Sequence, residues 1–392
     1  MRLLVACHSY YPTVGGVERL VQGLVEELAR RGVDVTVVTR LDPGTSRQET
    51  LGGVQIVRIP MWHLGRFHVP RGYLRTLRGQ HPDVFHLSGN RVWCADFYLP
   101  WAGRFGWPSV MTGHGFYQYE MHRRLYDRWY FERYLPGRIR KFDVYTAITA
   151  HERDQLISWG VDPSRIDLIP NGIPLEEFDQ PRANPLEVRS RWGLRSPLVG
   201  VYVGGFYENK RVDRLVRAVA ATQGRWGLLA AGRDVPGSRY DRAAIAQLAR
   251  QLDADVVLRD LLPRNEVLDD LSAADAIVLG SSYEGFGLLL LEAMAMGRPF
   301  VAFRTGAAPE LAATGSGICV DTEEEFVAAL RRLEDESTRR TMGARGREAV
   351  RGYSVTQQAT RFLAAYERAI SERRSRSLGA SETVRRPNPA GR

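Results

Sequence analysis

The sequence has only three cysteines and no long apolar segment. Cys7, Cys94 and Cys319 lie far apart and show none of the spacings of metal or redox motifs. We therefore expect a reducing compartment and a cytoplasmic location. No run of about 18 apolar residues is present, which argues against a membrane-spanning helix. The first residues, MRLLVACHSYYPTVGG, contain too short an apolar run for a signal peptide and predict a first β-strand.

Lysine is almost absent. Among the 54 lysine and arginine residues, only Lys141 and Lys210 are lysines. A compact ammonium group differs chemically from a planar guanidinium group, so each lysine is a candidate for a role that arginine cannot fill. Chance retention is the alternative interpretation.

The excess positive charge is confined to two segments. The formal net charge is +9, of which residues 98–141 carry +5 and residues 371–392 carry +4. A nucleic-acid-binding protein usually has basic charge along a whole face, and this chain shows no such pattern. We therefore expect no nucleic-acid partner.

Short β-branched runs alternate with amphipathic helical patterns, which predicts parallel α/β sheets. In GGVERLVQGLVEELARRG, Leu20, Leu24 and Leu28 recur at helical spacing between two predicted strands, as in a βαβ unit. The predicted strands of the first half lie at 2–7, 34–39, 54–59, 83–87, 109–113, 144–148 and 166–170. Those of the second half lie at 198–204, 226–232, 255–260, 276–281, 299–304 and 317–321.

This alternation predicts two doubly wound domains with ligand sites at the carboxyl ends of their strands. The predicted segments are a first domain at 1–178, a linker at 179–187, a second domain at 188–352, an amphipathic helix at 353–371 and a disordered basic tail at 372–392. The helix is expected to return to the first domain.

The segment SSYEGFGLLLLEAMAMG, residues 281–297, places two carboxylates in an unusual setting. Glu284 lies in a glycine-containing loop, and Glu292 lies in a helix that is otherwise apolar on every side. A buried carboxylate is unfavourable by several kcal/mol unless it is hydrogen-bonded, and a polyhydroxyl ligand would supply donors. The helix N-terminus would favour an anion. Alternatively, Glu292 pairs with an arginine in the core.

Glu284 and Glu292 form an E-x7-E motif, and several further motifs occur with it in a characteristic order. They are YYPTVGGVERLVQGLVEELARRGVDVTVVT, VMTGHG, LIPNGIP, VGGFYENKRVDRLVRAV, the segment LSAADAIVLGSSYEGFGLLLLEAMAMGRPFVAFRTGAAPEL and YSVTQQATRFLAAYERA. Together they resemble glycosyltransferase family 4 over most of residues 1–371. The resemblance implies a GT-B fold, with two Rossmann-like domains facing each other across a cleft. It also implies a retaining, nucleotide-sugar-dependent enzyme.

The resemblance assigns a donor site to the second domain. It implies that Glu292 binds the ribose hydroxyls of the donor and that Glu284 contacts hydroxyls of the transferred sugar. Backbone amides at Phe286, Gly287 and Leu288 would hold the diphosphate. Lys210 matches the lysine that neutralises the leaving phosphate.

Two matches lie in the first domain. Gly16 corresponds to a glycine that lets this domain approach the donor phosphates, although it could simply form a tight turn. His114 corresponds to a histidine near the reacting sugar, and an ordinary hydrogen-bonded histidine is the alternative.

One departure concerns phosphate binding. Gly205 stands where the family usually has an arginine, and Arg211 follows Lys210 where a glycine is usual. Arg211 or Arg233 could supply the missing charge, or Lys210 and the helix N-terminus could suffice.

No cofactor and no metal are expected, since the nucleotide sugar is itself a substrate. Asp253 and Asp255 form a D-x-D pattern that binds metals in other transferases, but they precede a strand away from the motif residues. We interpret them as loop residues.

Arginines alternate with aromatic residues at 97–141, which include Arg123, Arg124 and Trp129, and at 62–75. This mixture is typical of a membrane interface with anionic lipid. It suggests peripheral contact with the inner face of the membrane and a lipid-linked acceptor. An aromatic core helix with a solvated basic face and a site for an anionic soluble acceptor are the alternatives.

The sequence thus predicts a retaining glycosyltransferase that uses a UDP- or GDP-sugar. Its expected acceptor is a hydroxyl group, with a lipid-linked glycan or another cell-envelope or polysaccharide precursor as candidates. The alternative functions are a GT-B sugar-nucleotide epimerase and a non-catalytic nucleotide-sugar-binding protein.

Overall fold

The computed structural model divides the chain into two compact units. Unit 1 comprises Met1–Gly172 and the chain from Val355 onward, and unit 2 comprises Ile173–Ser354. The structure describes residues 1–13, 15–64, 67–89, 93–115, 129–180, 182–235 and 237–384.

Unit 1 is built on an eight-stranded sheet with the order β10-β9-β8-β7-β1-β2-β4-β3. All neighbouring strands are parallel except β3 and β4, which are antiparallel, and β5 and β6 form a separate antiparallel pair. The strands are β1 (Arg2–Cys7), β2 (Asp34–Arg40), β3 (Gln48–Leu51), β4 (Val54–Ile59), β5 (Met61–Leu64), β6 (Phe67–Pro70), β7 (Val84–Ser88), β8 (Ser109–Thr112), β9 (Val144–Ala147) and β10 (Ile166–Leu168).

The helices of unit 1 pack on both faces of this sheet in two apolar clusters. Helix α1 buries Leu20, Leu24 and Leu28, as its spacing predicts. The helices before the linker are α1 (Gly16–Arg30), α2 (Tyr73–Arg78), α3 (Trp93–Tyr98), α4 (Ala102–Phe105), α5 (Leu135–Ile139) and α6 (Ala150–Ser158).

Unit 2 is a six-stranded parallel sheet with the order β13-β12-β11-β14-β15-β16. Its strands are β11 (Leu198–Val203), β12 (Trp226–Ala231), β13 (Val256–Arg259), β14 (Ala276–Leu279), β15 (Phe300–Phe303) and β16 (Gly317–Val320). Its helices are α7 (Pro185–Ser190), α8 (Val212–Ala220), α9 (Arg242–Gln251), α10 (Arg264–Ala273), α11 (Leu288–Ala295), α12 (Ala308–Ala312), α13 (Glu323–Arg332) and α14 (Glu336–Ala349).

Local sequence explains where several helices begin and end. The side chains of Thr149, Asp241, Thr322 and Asp335 each accept a hydrogen bond from a first-turn amide of the helix that follows. Helix α11 ends before Gly297, whose φ of +64° requires the left-handed conformation that glycine adopts readily.

All of the predicted strands are present, but the pattern missed β3, β5 and β6. These strands belong to antiparallel pairs, whereas the prediction relied on the alternation of strand and helix. Residues 48–50 of β3 are exposed at the edge of the sheet. Such a strand lacks the continuous apolar run of a strand that is buried on both faces.

The last helix, α15 (Val355–Val384), packs within unit 1 and is longer than the sequence suggests. The prediction of a disordered tail from residue 372 is wrong as far as residue 384. Arg373 and Arg376 anchor the added turns by ion pairs of 3.3 and 3.0 Å to the buried carboxylate of Asp143. Asp143 also accepts hydrogen bonds from the amide and hydroxyl of Ser109. Residues 385–392 of the predicted tail lie outside the described residues.

Replacing Asp143 should therefore destabilise unit 1. We expect Asp143→Asn to lower the free energy of unfolding by about 2–3 kcal/mol, because two arginines lose their buried anionic partner. Denaturant unfolding followed by circular dichroism measures this change. Asp154→Asn is the control, because Asp154 is an exposed carboxylate whose observed ion pair is with its neighbour Arg153. Equal stability of the two variants would contradict the anchoring role.

Candidate active site

The central feature of unit 2 is an ion pair between Lys210 and Glu284. The Lys210 Nζ lies 2.7 Å from Glu284 Oε1 and 2.8 Å from Oε2, so the ammonium group bonds both carboxylate oxygens. The side chains are 22% and 10% exposed. Ser281 Oγ donates to Glu284 Oε1 at 2.6 Å, and the Glu284 amide donates to Thr305 Oγ1 at 2.8 Å. The carboxylate is therefore fixed from several sides.

Strand order brings these two residues together. Lys210 follows β11 and Glu284 follows β14, and these two strands are parallel neighbours in the sheet. The two loops are joined directly, since the Ser282 amide donates to the Asn209 carbonyl at 2.8 Å and Asn209 Nδ2 donates to the Tyr283 carbonyl. An ammonium group has three N–H donors, so one remains for a ligand when two bind Glu284.

The N-terminus of α11 lies directly after this loop. Its N-cap is Gly287, with φ of +94°, and no side chain caps the first-turn amides. Phe286 is buried, and its carbonyl accepts a hydrogen bond from the Ala307 amide at 2.8 Å. A Cβ atom on Gly306 would lie 2.6 Å from the Phe286 carbonyl oxygen, so the two loops approach as only glycine allows. Leu288 begins the helix, and the uncapped amides favour an anion.

Glu292 is bound to an arginine, which was the alternative that the sequence left open. Arg264 Nη1 lies 2.7 Å from Glu292 Oε1, and the Glu292 side chain is 14% exposed. Arg264 also donates from Nε and Nη2 to Glu177 Oε2, both at 3.1 Å. One guanidinium group therefore serves two carboxylates, and it lies above the ring of Phe178.

Gly205, where the usual arginine is missing, and the two arginines that could replace its charge differ in their surroundings. A Cβ atom on Gly205 would lie 2.1 Å from Tyr207 Cε2, so a side chain at this position would require the tyrosine ring to move. Arg211 forms two hydrogen bonds of 2.8 Å with Asp213. Arg233 follows β12 with an exposed side chain, and its carbonyl accepts from the Phe206 amide at 2.9 Å. The Arg211 guanidinium is therefore already bonded to a carboxylate of the protein, whereas the exposed Arg233 side chain is the more accessible of the two to a ligand.

In unit 1, Gly16 is the first residue of α1, and a carboxylate lies close to it. Glu18 Oε2 would be 2.2 Å from a Cβ atom placed on Gly15, the N-cap residue. Ser9 donates a hydrogen bond to Glu18. An acidic side chain of the protein therefore already occupies the first turn of this helix.

His114 follows β8 and adopts a left-handed conformation with φ of +55°. Its Nε2 bonds Ser88 Oγ, the last residue of β7, at 2.8 Å, and its Nδ1 has no hydrogen-bond partner among the described residues. Burial lowers the pKa of His114 to about 4, so the imidazole is neutral at pH 7. The neighbouring His86 is fully enclosed and bonds Tyr366 of α15 and Thr112 of β8.

Glu152 supports the loop that carries His114. This buried carboxylate on α6 accepts hydrogen bonds from the Gly115 amide at 3.1 Å and the Ile148 amide at 2.7 Å. Burial raises the pKa of Glu152 to about 7, although these two amides act in the opposite direction. The sequence pattern did not indicate Glu152 or Arg264. Glu152 binds the amide of Gly115 in a loop, and Arg264 binds Glu292, and neither partner can be recognised from local sequence.

The membrane-contact candidates are only partly visible. Arg123 and Arg124 lie outside the described residues, and Trp129 is 50% exposed. Trp62 is also exposed, with Arg71 above its ring. Of the helices that the structure describes, none is long and apolar enough to cross a membrane.

The D-x-D candidate has a local structural contact. Asp255 accepts hydrogen bonds from the amides of Arg195 and Ser196, at 2.8 and 2.7 Å, next to the start of β11. Asp253 lies in the turn before β13 with φ of +48°. Within the described ranges, no three His, Cys, Asp or Glu side chains are grouped as metal ligands would be.

Comparison with known proteins gives consistent matches. The family model for Glycosyltransferase Family 4 matches residues 14–177, and the model for Glycosyl transferases group 1 matches residues 197–336. The D-inositol 3-phosphate glycosyltransferase of Frankia alni is 30% identical over 91% of this chain and 95% of that protein.

Two further similar proteins are informative. The GDP-mannose-dependent alpha-(1-6)-phosphatidylinositol dimannoside mannosyltransferase of Mycobacterium tuberculosis is 29% identical over 84% of this chain and 86% of that protein. The structure of Anabaena HepE in complex with UDP-glucose has a TM-score of 0.75 and 18% identity, and it covers 93% of this chain and 100% of that one. This likeness shows the predicted GT-B fold.

The raised pKa of Glu152 predicts a pH-dependent stability. Because the folded carboxyl keeps its proton up to about pH 7 and the ordinary pKa is 4.5, its contribution to stability is full below pH 4.5 and is lost as the pH rises through 7. Relative to Glu152→Gln, the unfolding free energy of the natural protein should fall by about 3 kcal/mol over that range. Denaturant unfolding at several pH values measures the difference.

The exposed Glu367 provides the control for this experiment. Glu367→Gln should parallel the natural protein at every pH. A Glu152→Gln variant whose stability also stays parallel to that of the natural protein would show that Glu152 does not titrate in this range.

Proposed function

Because the chain belongs to glycosyltransferase family 4 and is a glycosyltransferase, we propose that it transfers a sugar from a UDP- or GDP-sugar to an acceptor hydroxyl with retention of configuration. The observation that carries this proposal is the Lys210–Glu284 pair beside the uncapped N-terminus of α11. It places a cation, free amides and a hydrogen-bond acceptor within one loop region.

The chemistry of glycosyl transfer suits these groups. Cleavage of the bond between sugar and phosphate develops negative charge on the departing diphosphate. The free N–H of Lys210 and the amides at Gly287 and Leu288 would stabilise this charge, because they are fixed before the reaction begins. Glu284 would accept hydrogen bonds from the transferred sugar, and Glu292 would accept them from the ribose.

Retention is proposed to occur by attack on the same face of the sugar, assisted by the leaving phosphate. Both oxygens of Glu284 already accept hydrogen bonds from Lys210, which makes this carboxylate a poor nucleophile. The position of Glu284 therefore supports a route without the paired catalytic carboxylates of glycosidases. His114, neutral at pH 7, would serve as a hydrogen-bonding group near the reacting sugar.

The similar proteins support both donor nucleotides. The M. tuberculosis relative uses GDP-mannose by its name, and HepE was solved with UDP-glucose. We therefore propose a UDP- or GDP-hexose donor and no metal requirement. A cytoplasmic location with contact at the inner face of the membrane also remains part of the proposal.

We further propose that the acceptor carries a phosphate group. A groove of about 620 Å³ in unit 1 lies at the carboxyl end of β4, and no acidic side chain is among its described lining residues. Arg47, Arg58 and Arg71 line it. Arg58 is bound to Glu49 and to the carbonyls of Ser46 and Tyr11, whereas Arg47 and Arg71 are exposed without an ion pair among the described residues.

The names of the relatives support the same chemistry, since inositol 3-phosphate and phosphatidylinositol dimannoside both contain phosphate. A soluble polyol phosphate and a phospholipid headgroup both suit the guanidinium groups of Arg47 and Arg71. A guanidinium group can bind two oxygens of one phosphate at the same time. Exposed Trp62 near Arg71 suits the lipid case.

The donor proposal is tested by turnover of a panel of UDP- and GDP-sugars, measured as release of the nucleoside diphosphate. We expect Lys210→Ala to reduce kcat by roughly a hundredfold or more, because the departing diphosphate loses its cation. Lys141→Ala is a matched control, since Lys141 is the other lysine of the chain and is exposed. Near-natural turnover of Lys210→Ala, or no release from any donor, would reject the proposal.

The acceptor proposal is tested by binding of inositol 3-phosphate and of vesicles with or without phosphatidylinositol. The double variant Arg47→Gln/Arg71→Gln should weaken binding of the preferred probe at least about tenfold, while the KM for the donor stays constant. Arg75→Gln is the control, because Arg75 is an exposed arginine of the nearby helix α2 and is not among the lining residues of the groove. Equal behaviour of the two variants would show that the groove does not bind the acceptor phosphate.

A further inference from the structure

Arg264 is the only residue that the structure shows in an ion pair with Glu292, among the residues it describes. It begins α10, whereas Glu292 lies in α11, so the contact joins two helices of unit 2. Its planar group is held by three observed contacts: the carboxylates of Glu292 and Glu177 and the ring of Phe178 at 5.5 Å. The guanidinium is therefore fixed before any ligand arrives.

We propose that Arg264 is a positioning residue, which holds the Glu292 carboxylate in the orientation that accepts hydrogen bonds from the ribose hydroxyls of the donor nucleotide. This inference rests on the proposed function, because it requires a nucleotide in unit 2. It adds a residue that neither the motif nor the sequence pattern indicates.

Arg264 restricts the conformation of Glu292. A glutamate side chain has three rotatable bonds, and ordering such a side chain on binding costs conformational entropy. Neighbouring residues of α11, such as Leu291 and Ala293, are buried and apolar and offer the carboxylate no hydrogen bond. Arg264 orders the side chain of Glu292 in the absence of ligand, so this ordering is not required when a nucleotide binds.

Glu292 also keeps hydrogen-bonding capacity for a ligand. The observed contact of Arg264 is to Oε1 of Glu292, at 2.7 Å. A carboxylate has about four lone-pair sites, so acceptor capacity for two hydroxyl donors remains. The two adjacent hydroxyls of a ribose present two such donors.

The surroundings of Glu292 carry a net negative charge. Two carboxylates share one guanidinium, which leaves the group of Glu177, Arg264 and Glu292 with a formal charge of −1. A hydroxyl donor is attracted to this group, whereas a phosphate is repelled. The diphosphate is attracted instead to Lys210 and the N-terminus of α11. The two regions thus favour one orientation of the nucleotide over its reverse.

The experiment compares nucleotides that differ only in the ribose hydroxyls. Calorimetric titration would measure binding of UDP and GDP and of their 2′,3′-dideoxy counterparts to the full chain. The natural protein should bind the ribonucleotide about tenfold or more tightly than the dideoxynucleotide. The dideoxynucleotide lacks the hydroxyls that would donate hydrogen bonds to the charged Glu292 carboxylate. Glu292→Gln and Arg264→Ala should both reduce this preference to less than about threefold, and Arg264→Lys should restore part of it.

Arg225→Ala is the matched control, since Arg225 also pairs with a glutamate. Arg225 directly precedes β12 and therefore lies at the amino ends of the strands, whereas the candidate site lies at their carboxyl ends. It should keep the natural preference. Arg264→Gln replaces the alanine variant if the latter does not fold, as judged by thermal unfolding.

The outcomes separate the two proposals. If Arg264→Ala weakens the binding of ribo- and dideoxynucleotides by the same factor, the preference for the ribonucleotide is unchanged. Arg264 then only stabilises the fold, and the positioning role is rejected. If the natural protein binds neither UDP nor GDP, the donor proposal itself fails and the positioning role fails with it. Loss of the preference with retained dideoxynucleotide binding supports both.

Discussion

An ion pair between one ammonium group and both oxygens of one carboxylate organises the candidate active site in unit 2. Lys210 and Glu284 neutralise each other, so a mostly buried carboxylate is tolerated in the loop after β14. The pair also joins the loops after two adjacent strands. Gly306 packs closely against this loop. A Cβ atom on Gly306 would lie 3.0 Å from Glu284 Cβ, so the fixed position of Glu284 leaves room only for glycine there.

The second acidic residue of the motif follows the same physical rule with a different cation. Glu292 lies in an apolar helix and is compensated by Arg264, which also serves Glu177. Charge compensation therefore explains how two carboxylates persist beside an apolar helix without a ligand. It also separates the region into a part with a free N–H donor at Lys210 and a part with a net negative charge around Glu292.

Unit 1 places a different chemistry at the carboxyl ends of its strands. Ser88 is the last residue of β7, and His114 follows the adjacent strand β8. Glu152 accepts a hydrogen bond from the backbone of the loop that carries the histidine. A groove lies at the end of β4, and two of its arginines, Arg47 and Arg71, form no ion pair with the described residues. In both units the strands that carry these residues run parallel, so their carboxyl ends lie at the same end of the sheet, and each unit presents polar side chains there. Within unit 1, this arrangement suits an acceptor that combines hydroxyl and phosphate groups.

The amino-acid sequence was sufficient to predict the features that depend on short-range patterns: the alternation of strands and helices, the buried face of α1, the glycine turn before α11 and the two acidic positions. It did not determine β3 and the β5–β6 pair, nor the last turns of α15, because edge pairing and the ion pairs of Asp143 involve residues distant along the chain. The partners of the charged groups became known only from the folded arrangement. Lys210 and Glu284 are 74 residues apart and meet because β11 and β14 are neighbours. Charge pairing depends on distance in space, which strand order and helix packing set, and local sequence does not specify it.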